Sequence, residues 1–538
     1  MMVDTMRSIS AIDVAIILVY FSVLVYIGKR AVATNVTQDD YFTGGRSLSW
    51  FPIGISIIAT WTSAAAFISA PGQVYNEGLS AYVLILNIPL VMFICSGIFI
   101  PFIYNLKIIS VYQYLESRFG GIARTFVAVG FLFTSTMLIG VMVLVPTLVL
   151  HALTGLNSIV ISSVILVVAV IYTAMGGIKA VIWTDVSQMA ILWFGGSVVF
   201  FVAISAIDGS LVHGMGAVRA AGMLQSLDFS WSWVLNNGVW VSILGYGILH
   251  MQYWSGDQSQ VQRIFAARSM KDVKYSFWFS GVLLNVTYFI FCTLGLILFM
   301  FYEGREFPDS NMIMVDFIIN YVPVGIFGII VSAIFAASMA AIDSLLNSMT
   351  TVYVKDIHER WILKNSGATA SIPVSRLVTL VFGILTAIFV FFMGDNPKSP
   401  LVALMGEYTS YLTGAMLGVF VMAMFTKKTN EIGICVGFIA GIFAVAYMDA
   451  QYDFNWGWKS PIGLVTTCLV AFIVSSMTGW EKKRITQYTF SGQRRQLIAE
   501  GRIKEDGVYV LPGKFEKRSF VLLGFFLLQF LFLYYIAN

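Results

Sequence analysis

The stretch from Thr125 to Ile178 contains no Asp, Glu, Lys or Arg, and this single feature restricts the fold more than any other. A helix that crosses a bilayer needs about 20 consecutive, mostly apolar residues, so the stretch is long enough for two crossings. Thr154-Gly155-Leu156-Asn157 interrupts it with residues that favour turns. The stretch therefore predicts two neighbouring transmembrane helices joined at this turn.

Apolar runs of similar length follow one another along the whole chain. Of its 538 residues, 58% are hydrophobic and only 11% are Asp, Glu, Lys or Arg. A soluble domain carries about 25% charged residues, so most of this surface is expected to face lipid. The sequence predicts an all-α polytopic membrane protein with about 14 transmembrane helices. The candidate spans are 11–28, 49–70, 80–104, 123–153, 157–175, 181–207, 235–262, 275–302, 321–352, 377–394, 399–426, 431–448, 461–479 and 519–537.

Basic residues indicate the orientation of the spans, because cytoplasmic loops carry an excess of Lys and Arg. If the loop with Lys29, Arg30 and Arg46 is cytoplasmic, 27 of the 32 Lys and Arg fall in cytoplasmic segments. The others are Arg7, Arg219, Arg305, Lys398 and Lys459. This asymmetry predicts an integral multi-pass protein of the plasma (inner) membrane with both termini on the outer side.

One long polar segment, 481–518, is predicted to be a cytoplasmic loop. Its ten Lys and Arg have two interpretations, contact with the anionic headgroups of membrane lipid or a solvated linker.

Several classes of function are not supported by the sequence. The net charge of +4 is dispersed, which argues against a nucleic-acid partner. Gly44-Gly45 and Gly176-Gly177 are not followed by the lysine and hydroxyl of a phosphate-binding loop, which argues against ATP-driven transport. Catalytic triads, organic-cofactor motifs and metal-ligand spacing among the cysteines are not recognised, so the chain is not predicted to be an enzyme.

Two candidate spans carry residues that interrupt helices. The second span has Gly54 and a run of Ser and Thr before Pro71-Gly72. The seventh span has Gly245 and Gly247, followed by the polar cluster from His250 to Gln262. These spans are five apart, as two five-helix halves of opposite orientation require. Transporters built from such inverted repeats often bind their solutes where these helices are broken.

Four ionisable residues, Asp185, His250, Asp343 and Glu407, fall inside the spans, where an uncompensated charge costs several kcal/mol. His250 has two interpretations, a group that binds a solute anion or hydroxyl and a buried neutral histidine that donates to a backbone carbonyl. Asp185 is compatible with cation binding and with a protonated structural carboxyl. For Glu407, near the outer end of its span, a structural role is favoured.

Asp343 is the most informative of these residues. It lies among small residues that permit close helix packing, four positions before Asn347 and next to Ser344. Carboxylate, hydroxyl and amide oxygens are the hard ligands that alkali cations prefer. The alternative is a protonated carboxyl that hydrogen-bonds to a neighbour. Asp257 and Arg263, at the cytoplasmic end of the seventh span, are instead predicted to form a structural ion pair.

Short motifs spread over almost the whole chain resemble those of the sodium:solute symporter family, especially its bacterial sodium/galactose and sodium/sialic acid members. The motifs are Asp40-Tyr41-Phe42-Thr43-Gly44-Gly45-Arg46, Tyr114-Leu115-Glu116-Ser117-Arg118-Phe119, Gly176-Gly177-Ile178-Lys179-Ala180-Val181-Ile182-Trp183-Thr184-Asp185-Val186-Ser187-Gln188, Tyr253-Trp254, Asp257-Gln258, Val261-Gln262-Arg263, Leu346-Asn347-Ser348, Asp356-Ile357, Glu407-Tyr408-Thr409 and Phe425-Thr426-Lys427-Lys428-Thr429-Asn430.

The resemblance implies a single transmembrane transporter domain over residues 1–538. A LeuT-type 5+5 inverted-repeat core is expected over 49–428. The first helix region, 11–48, and the C-terminal helices in 429–538 are expected to be peripheral.

The resemblance also implies a sodium site between the broken second span and the ninth span. Its backbone ligands match the carbonyls of Ala59, Thr62 and Ala337. The two positions that supply hydroxyl ligands in the family match Ala340 and Ala341, so both side-chain ligands are replaced.

A second cation site of the sialic acid symporters matches Asp185, Asp343 and Ser344. We hypothesise that these three residues take over the coupling role. The coupling ion is then Na⁺, or a proton carried by one carboxylate. A membrane potential of about 100 mV supplies about 2.3 kcal/mol per charge, so either ion can drive accumulation.

The expected solute site also departs from the relatives. The arginine that grips sialic acid matches Leu138, and polar galactose ligands match Ala66 and Gly406, so neither solute is supported. Trp61 has two interpretations, stacking on a solute ring and packing against a neighbouring helix or lipid. The expected solute-binding residues are Trp61, Ser63, Gln73, Tyr82, Asn87, His250 and Tyr253.

Together these features favour cation-coupled symport of a small organic solute, such as a sugar, sugar acid, carboxylate or amino acid. The missing hydroxyls leave open an uncoupled facilitator or exchanger. The basic segment 481–518 leaves open a transporter-like sensor.

Overall fold

The computed structural model describes residues 10–32, 38–207, 211–235, 237–363, 370–393, 401–480 and 486–538. Lys398 and Lys482 to Ile485, at the start of the predicted cytoplasmic loop, lie outside these ranges. In the described parts most residues, 81%, are helical, and the only paired strands form one hairpin with two residues in each strand.

The described residues of the first half of the chain form ten α-helices. The predicted turn after Thr154 is confirmed, because Gly155 adopts a left-handed φ of 64° and the Asn157 side chain accepts a hydrogen bond from the Ile159 amide. The helices are α1 (Ala11–Val32), α2 (Gln38–Thr43), α3 (Trp50–Trp61), α4 (Ala64–Glu77), α5 (Ile88–Gly97), α6 (Phe99–Asn105), α7 (Gln113–Arg118), α8 (Gly121–Thr154), α9 (Ser158–Ser205, bent at Gly177) and α10 (Leu211–Ala220).

In the second half, the residues that the structure describes add eleven α-helices and the hairpin. A π-helical segment, Val241–Tyr246, precedes them, and a second, Tyr353–Ile362, extends α15. The elements are α11 (Gly247–Gly256), α12 (Gln258–Phe265), α13 (Met270–Phe301), α14 (Ser310–Tyr321), α15 (Ile326–Val352), α16 (Ile372–Met393), α17 (Leu401–Phe425), α18 (Glu431–Gln451), α19 (Lys459–Met477), α20 (Phe490–Ala499), β1 (Lys504–Glu505), β2 (Val508–Tyr509) and α21 (Phe520–Ala537).

Ten helices among the described residues are long and apolar enough to cross a membrane, and three shorter apolar helices accompany them, Ala11–Leu24, Trp50–Trp61 and Ser158–Ile171. The chain is therefore an integral multi-pass membrane protein in its architecture. Every predicted span overlaps a helix. The seventh span, which is broken, is neither one of the ten long apolar helices nor one of the three shorter ones, so the count of 14 spans stays a prediction.

Helix α15 and its π-helical extension, Ile326–Ile362, form the most buried of the ten long apolar helices. Of the apolar 18-residue stretch within it, 89% is buried inside the protein. Helix α1 reaches it although the sequence predicted a peripheral position. The Asp13 carboxylate accepts hydrogen bonds of 2.8 Å from the amides of Gly325 and Gly328 at the start of α15. The first helix is therefore attached to the start of α15, and its position outside the repeat core stays a prediction.

Helices α4 and α13 approach closely through a glycine. A Cβ atom at Gly295 would lie 2.4 Å from the carbonyl oxygen of Pro71. Pro71 and Gly72 lie inside α4 without interrupting it, and Gly72 faces the Ser310 carbonyl. These residues therefore permit packing and do not break the helix.

The described part of the polar segment, 486–518, folds back onto the helical body. The ring of Phe515 stacks on Phe93 of α5 at 4.6 Å, and the Gly513 amide donates to the Gly97 carbonyl at 2.7 Å. Lys274 forms a 2.7 Å ion pair with Glu516. These contacts contradict the interpretation as a solvated linker.

Candidate functional site

The second predicted span is broken at Thr62 and Ser63, between α3 and α4. Thr62 has a non-helical ψ of 73°, and the Ser63 amide donates to the Trp61 carbonyl at 3.0 Å. The Ala59 carbonyl thus loses the amide that would bond it in a continuous helix. The break falls in the predicted Ser and Thr run. Gly54 lies inside α3, where a Cβ would meet Phe279 at 2.9 Å, so it serves packing.

The seventh predicted span is broken at Asp257, between α11 and α12, so the break falls in the predicted polar cluster and not at the glycines. Asp257 has extended backbone angles, and its carboxylate accepts hydrogen bonds from the Ser259 amide at 2.8 Å and hydroxyl at 2.5 Å. Gly245 lies in the π-helical segment, and Gly247 begins α11. The two breaks thus come from a Ser/Thr run and from an aspartate that caps the following helix.

A central cavity lies beside both breaks. Four of the seven expected solute residues line it: Trp61, Ser63, His250 and Tyr253. The rest of the lining is mostly apolar or aromatic and includes Leu138, Met142, Tyr288, Met405 and Trp456. None of the described residues that line it is Lys or Arg, and its one acidic side chain is Asp257.

The other three expected residues, Gln73, Tyr82 and Asn87, do not line the central cavity. Gln73 bonds within α4 to Glu77 at 3.3 Å. Tyr82 lies in a 3₁₀ segment and donates to Gln529 of α21 at 2.5 Å. Gln73 and Tyr82 therefore face away from the position that the sequence predicted.

Asn87 does not line the cavity itself but hydrogen-bonds to His250, which does. Its amide nitrogen donates to the Leu84 carbonyl at 3.0 Å, which turns its oxygen towards His250 Nδ1 at 2.8 Å. Because the amide oxygen only accepts, Nδ1 of the neutral ring carries the proton and Nε2 is an acceptor. The ring lies between Trp61 and Trp254, with centroid distances of 6.1 and 5.5 Å. His250 can therefore accept a hydrogen bond from a solute.

Arg263 pairs with Asp185 of α9, and the predicted ion pair with Asp257 is wrong. Its Nη2 lies 3.1 Å from Asp185 Oδ2, and both side chains are fully buried. Its Nε donates to Ser56 at 2.7 Å, and it also donates to Ser344 and to the Ser259 carbonyl. The sequence paired Arg263 with its near neighbour, whereas Asp257 caps α12.

Asp343 lies in the same buried cluster, where the charges of Asp185 and Arg263 act on it. Its Oδ1 accepts from the Ser344 hydroxyl at 3.4 Å. Its Oδ2 and Asp185 Oδ1 are buried without a hydrogen-bond partner among the described residues. Two carboxylates and one guanidinium give the cluster a formal charge of −1. One Na⁺ or one proton would neutralise it.

The sodium site implied by backbone carbonyls is only partly supported. The freed carbonyl of Ala59 and the unpartnered Thr62 hydroxyl, buried among the described residues, fit a cation that prefers oxygen ligands. Ala337 lies within the continuous helix α15, and Ala340 and Ala341 present methyl groups. The unpaired oxygens of Asp343 and Asp185 therefore fit a cation better.

Several residues near Asp343 were not predicted from the sequence to belong to the site. Ser56 donates to Asp185 at 2.5 Å, and Thr60 lies 3.3 Å from the Ser344 hydroxyl while also lining the cavity. Their spacing of four on α3 was a usable signal.

Known proteins are similar to this chain along most of its length. The profile of the sodium:solute symporter family matches residues 41–441. The sodium/sialic acid symporter of Proteus mirabilis is 28% identical over 87% of this chain and 95% of its own length. The sodium/glucose cotransporter of Vibrio parahaemolyticus is 26% identical over 81% of this chain and 84% of its own length.

The fold is also shared with solved transporters. A substrate-bound, outward-open structure of a Na⁺-coupled sialic acid symporter superimposes with a TM-score of 0.79, at 27% identity over 88% of this chain and 99% of that chain. The nucleobase-cation-symport transporter Mhp1 gives a TM-score of 0.53 at 14% identity over 84% and 99% of the two chains, which supports the fold alone. Both neighbours are LeuT-fold transporters.

Proposed function

We propose that this chain, which belongs to the sodium:solute symporter family, carries a small organic solute in symport with one cation bound beside Asp343. Family membership identifies a secondary transporter that works by cation-coupled symport. The cation site and the nature of the solute are our proposals.

The observation that carries the proposal is the composition of the buried Asp185–Arg263–Asp343 cluster, which has a formal charge of −1 when both carboxyl groups are ionised. All three side chains are fully buried, and a net buried charge is unfavourable in a medium of low dielectric constant. A bound cation removes this penalty and uses the two unpaired carboxylate oxygens. Na⁺ is the coupling ion that we favour, because the relatives are sodium symporters. A proton on Asp343 is the alternative.

The central cavity is the proposed solute site. Trp61, Ser63, His250 and Tyr253 line it, and Asn87 orients His250. Since its described lining offers an acidic side chain but neither Lys nor Arg, a solute without net negative charge fits best. A sugar or an amino acid is therefore favoured over a sugar acid or a carboxylate.

For the membrane arrangement, we propose 14 crossings in the plasma membrane with both termini outside. The proposal rests on the predicted spans, which all overlap helix, and on the excess of Lys and Arg in alternate loops. A 5+5 repeat over 49–428 agrees with breaks in the second and seventh spans.

The test is uptake into proteoliposomes with an imposed sodium gradient, an imposed proton gradient or neither. The solute comes from a thermal-shift screen of sugars, sugar acids, monocarboxylates and amino acids, because a ligand that binds the folded state raises stability. We expect one of the two gradients to drive accumulation by the wild type.

Asp343→Asn is expected to abolish this dependence, because Asp185 and Arg263 then balance each other. Asp228→Asn, in an exposed loop, is the matched control and should behave as the wild type. Gradient-driven uptake that survives in Asp343→Asn would place the cation elsewhere.

Two other functions lead to different results. A facilitator or exchanger, suggested by Ala340 and Ala341, would equilibrate the solute without responding to either gradient. A transporter-like sensor, suggested by 481–518, would bind the solute without moving it.

A further inference from the structure

Trp456 lines two cavities at once. It lies in the short turn Trp456–Trp458 between α18 and α19, in the region that the sequence predicted to be peripheral. One cavity is the central one, where it lies beside Gly406 and Thr409. The other opens at the protein surface and contains Glu407, Asp449 and Lys459. The indole therefore separates the central cavity from the surface on this side.

The turn holds the indole in place through several contacts. The ring packs on Tyr246 of the π-helical segment, with centroids 4.6 Å apart. The Asn455 side-chain oxygen accepts hydrogen bonds from the Gly457 amide at 2.6 Å and from the Tyr246 hydroxyl at 3.1 Å. The backbone N–H of Asn455 donates to the Trp233 carbonyl at 2.8 Å. The indole is thereby tied to the helix that carries His250.

Gly406 provides the space that the indole occupies. A Cβ atom at Gly406 would lie 2.3 Å from the Trp456 ring, so even alanine would displace it. Trp456 therefore fills the volume that a side chain on α17 would otherwise take.

Charged groups attach the turn to both neighbouring helices. The buried Lys459 amino group pairs with Asp449 of α18 at 2.8 Å and lies 3.8 Å from Glu407 of α17. It also lies 4.1 Å from the Tyr411 ring centre, in a cation–π arrangement. These contacts lie on the surface side of Trp456 and attach its turn to both α17 and α18.

We propose that Trp456 belongs to the solute site, forms its wall towards the outer side and limits the size of the molecules that reach the site from there. This inference rests on the proposed transport function and orientation. It assigns a solute-facing residue to the C-terminal helices that were expected to be peripheral.

The experiment measures access to the cavity and needs neither a known solute nor an ion gradient. Thr409→Cys places a thiol in the cavity, three residues beyond Gly406. Two membrane-impermeant reagents are applied from outside, the small sulfonatoethyl methanethiosulfonate and a bulkier sulfonated stilbene maleimide. Trp456→Ala is expected to raise both labelling rates severalfold, and the rate of the bulkier reagent more.

The same protein without Thr409→Cys corrects for the native cysteines. Trp458→Ala is the matched control, since Trp458 lies in the same turn but packs on Trp231 and Trp233 at 5.3 and 4.8 Å. It should leave both rates unchanged.

Gly406→Ala should raise the rates by displacing the indole, and should add nothing in a Trp456→Ala background. The proposal is overturned if Trp456→Ala leaves the rates unchanged, if both reagents gain equally, or if Trp458→Ala has the same effect. A protein that fails to couple transport would still give the expected labelling, so the two failures are distinguishable.

Discussion

Replacing Arg263 by glutamine should destabilise the protein far more than the loss of an ordinary surface ion pair. Arg263 and Asp185 are fully buried and 3.1 Å apart at their nearest atoms. With about 4 Å between charge centres and an effective dielectric constant of about 20, their attraction is about 4 kcal/mol. Removing one partner of a buried pair typically costs about 3–5 kcal/mol, because the other charge is left unpaired. We expect a loss in this range for Arg263→Gln.

The assay is the free energy of unfolding in bicelles, measured by steric trapping. Arg502→Gln is the control, because the exposed Arg502–Glu505 pair is equally direct at 2.8 Å but 41% and 44% exposed. Its loss should cost less than about 1 kcal/mol. The double variant Arg263→Gln/Asp185→Asn should recover about 2 kcal/mol relative to Arg263→Gln, because no charge of the pair remains.

Two results would refute this reasoning. The first is a loss for Arg263→Gln no larger than that for Arg502→Gln. The second is a double variant as unstable as the sum of the two single changes. Asp257→Asn separates the observed pair from the predicted one, since it should weaken only a helix cap and cost about 1 kcal/mol.

Two further predictions concern helix packing. Gly295→Ala should lower the free energy of unfolding by about 1–3 kcal/mol in the same assay, because the new Cβ would lie 2.4 Å from the Pro71 carbonyl oxygen. Gly524→Ala is the control and should be neutral, because a Cβ there has no atom within 4 Å. Equal effects of the two changes would contradict the close approach of α4 and α13. Phe515→Ala should increase trypsin cleavage after Arg502 or Lys504 in inside-out vesicles, because it removes the stacking of Phe515 on Phe93. Unchanged cleavage would show that this stacking does not hold the segment 486–518 against the helices.

The helical architecture was predictable because its signal is local. A run of apolar residues long enough to cross a membrane identifies a helix without knowledge of its neighbours. The turn at Thr154–Asn157 was also predictable, since Gly155 and Asn157 carry out their roles within a few residues. Even the break after Trp61 fell in a run of Ser and Thr that marked it.

The partners within the site were less predictable, because they depend on contacts between distant segments. Arg263 was paired with Asp257, six residues away, but its partner Asp185 is 78 positions away along the chain. Tyr82 was placed in the cavity, but a 3₁₀ segment turns it towards Gln529 of the last helix. The position of Trp456 could not be predicted from the sequence, because a tryptophan in a loop does not indicate which cavity its side chain lines.

Helix α3 physically connects the proposed cation site to the proposed solute site. Its Ser56 and Thr60 contact Asp185 and Ser344, while Thr60 also lines the solute cavity. The helix ends one residue later, at Trp61, so its last turn can shift without straining a continuous hydrogen-bond ladder. If a cation bound in the proposed site draws Asp185 and Ser344 towards it, we expect Thr60 to move with them and to change the wall of the cavity. By thermodynamic reciprocity, a solute that orders that wall tightens cation binding by the same factor, which is the linkage that symport requires.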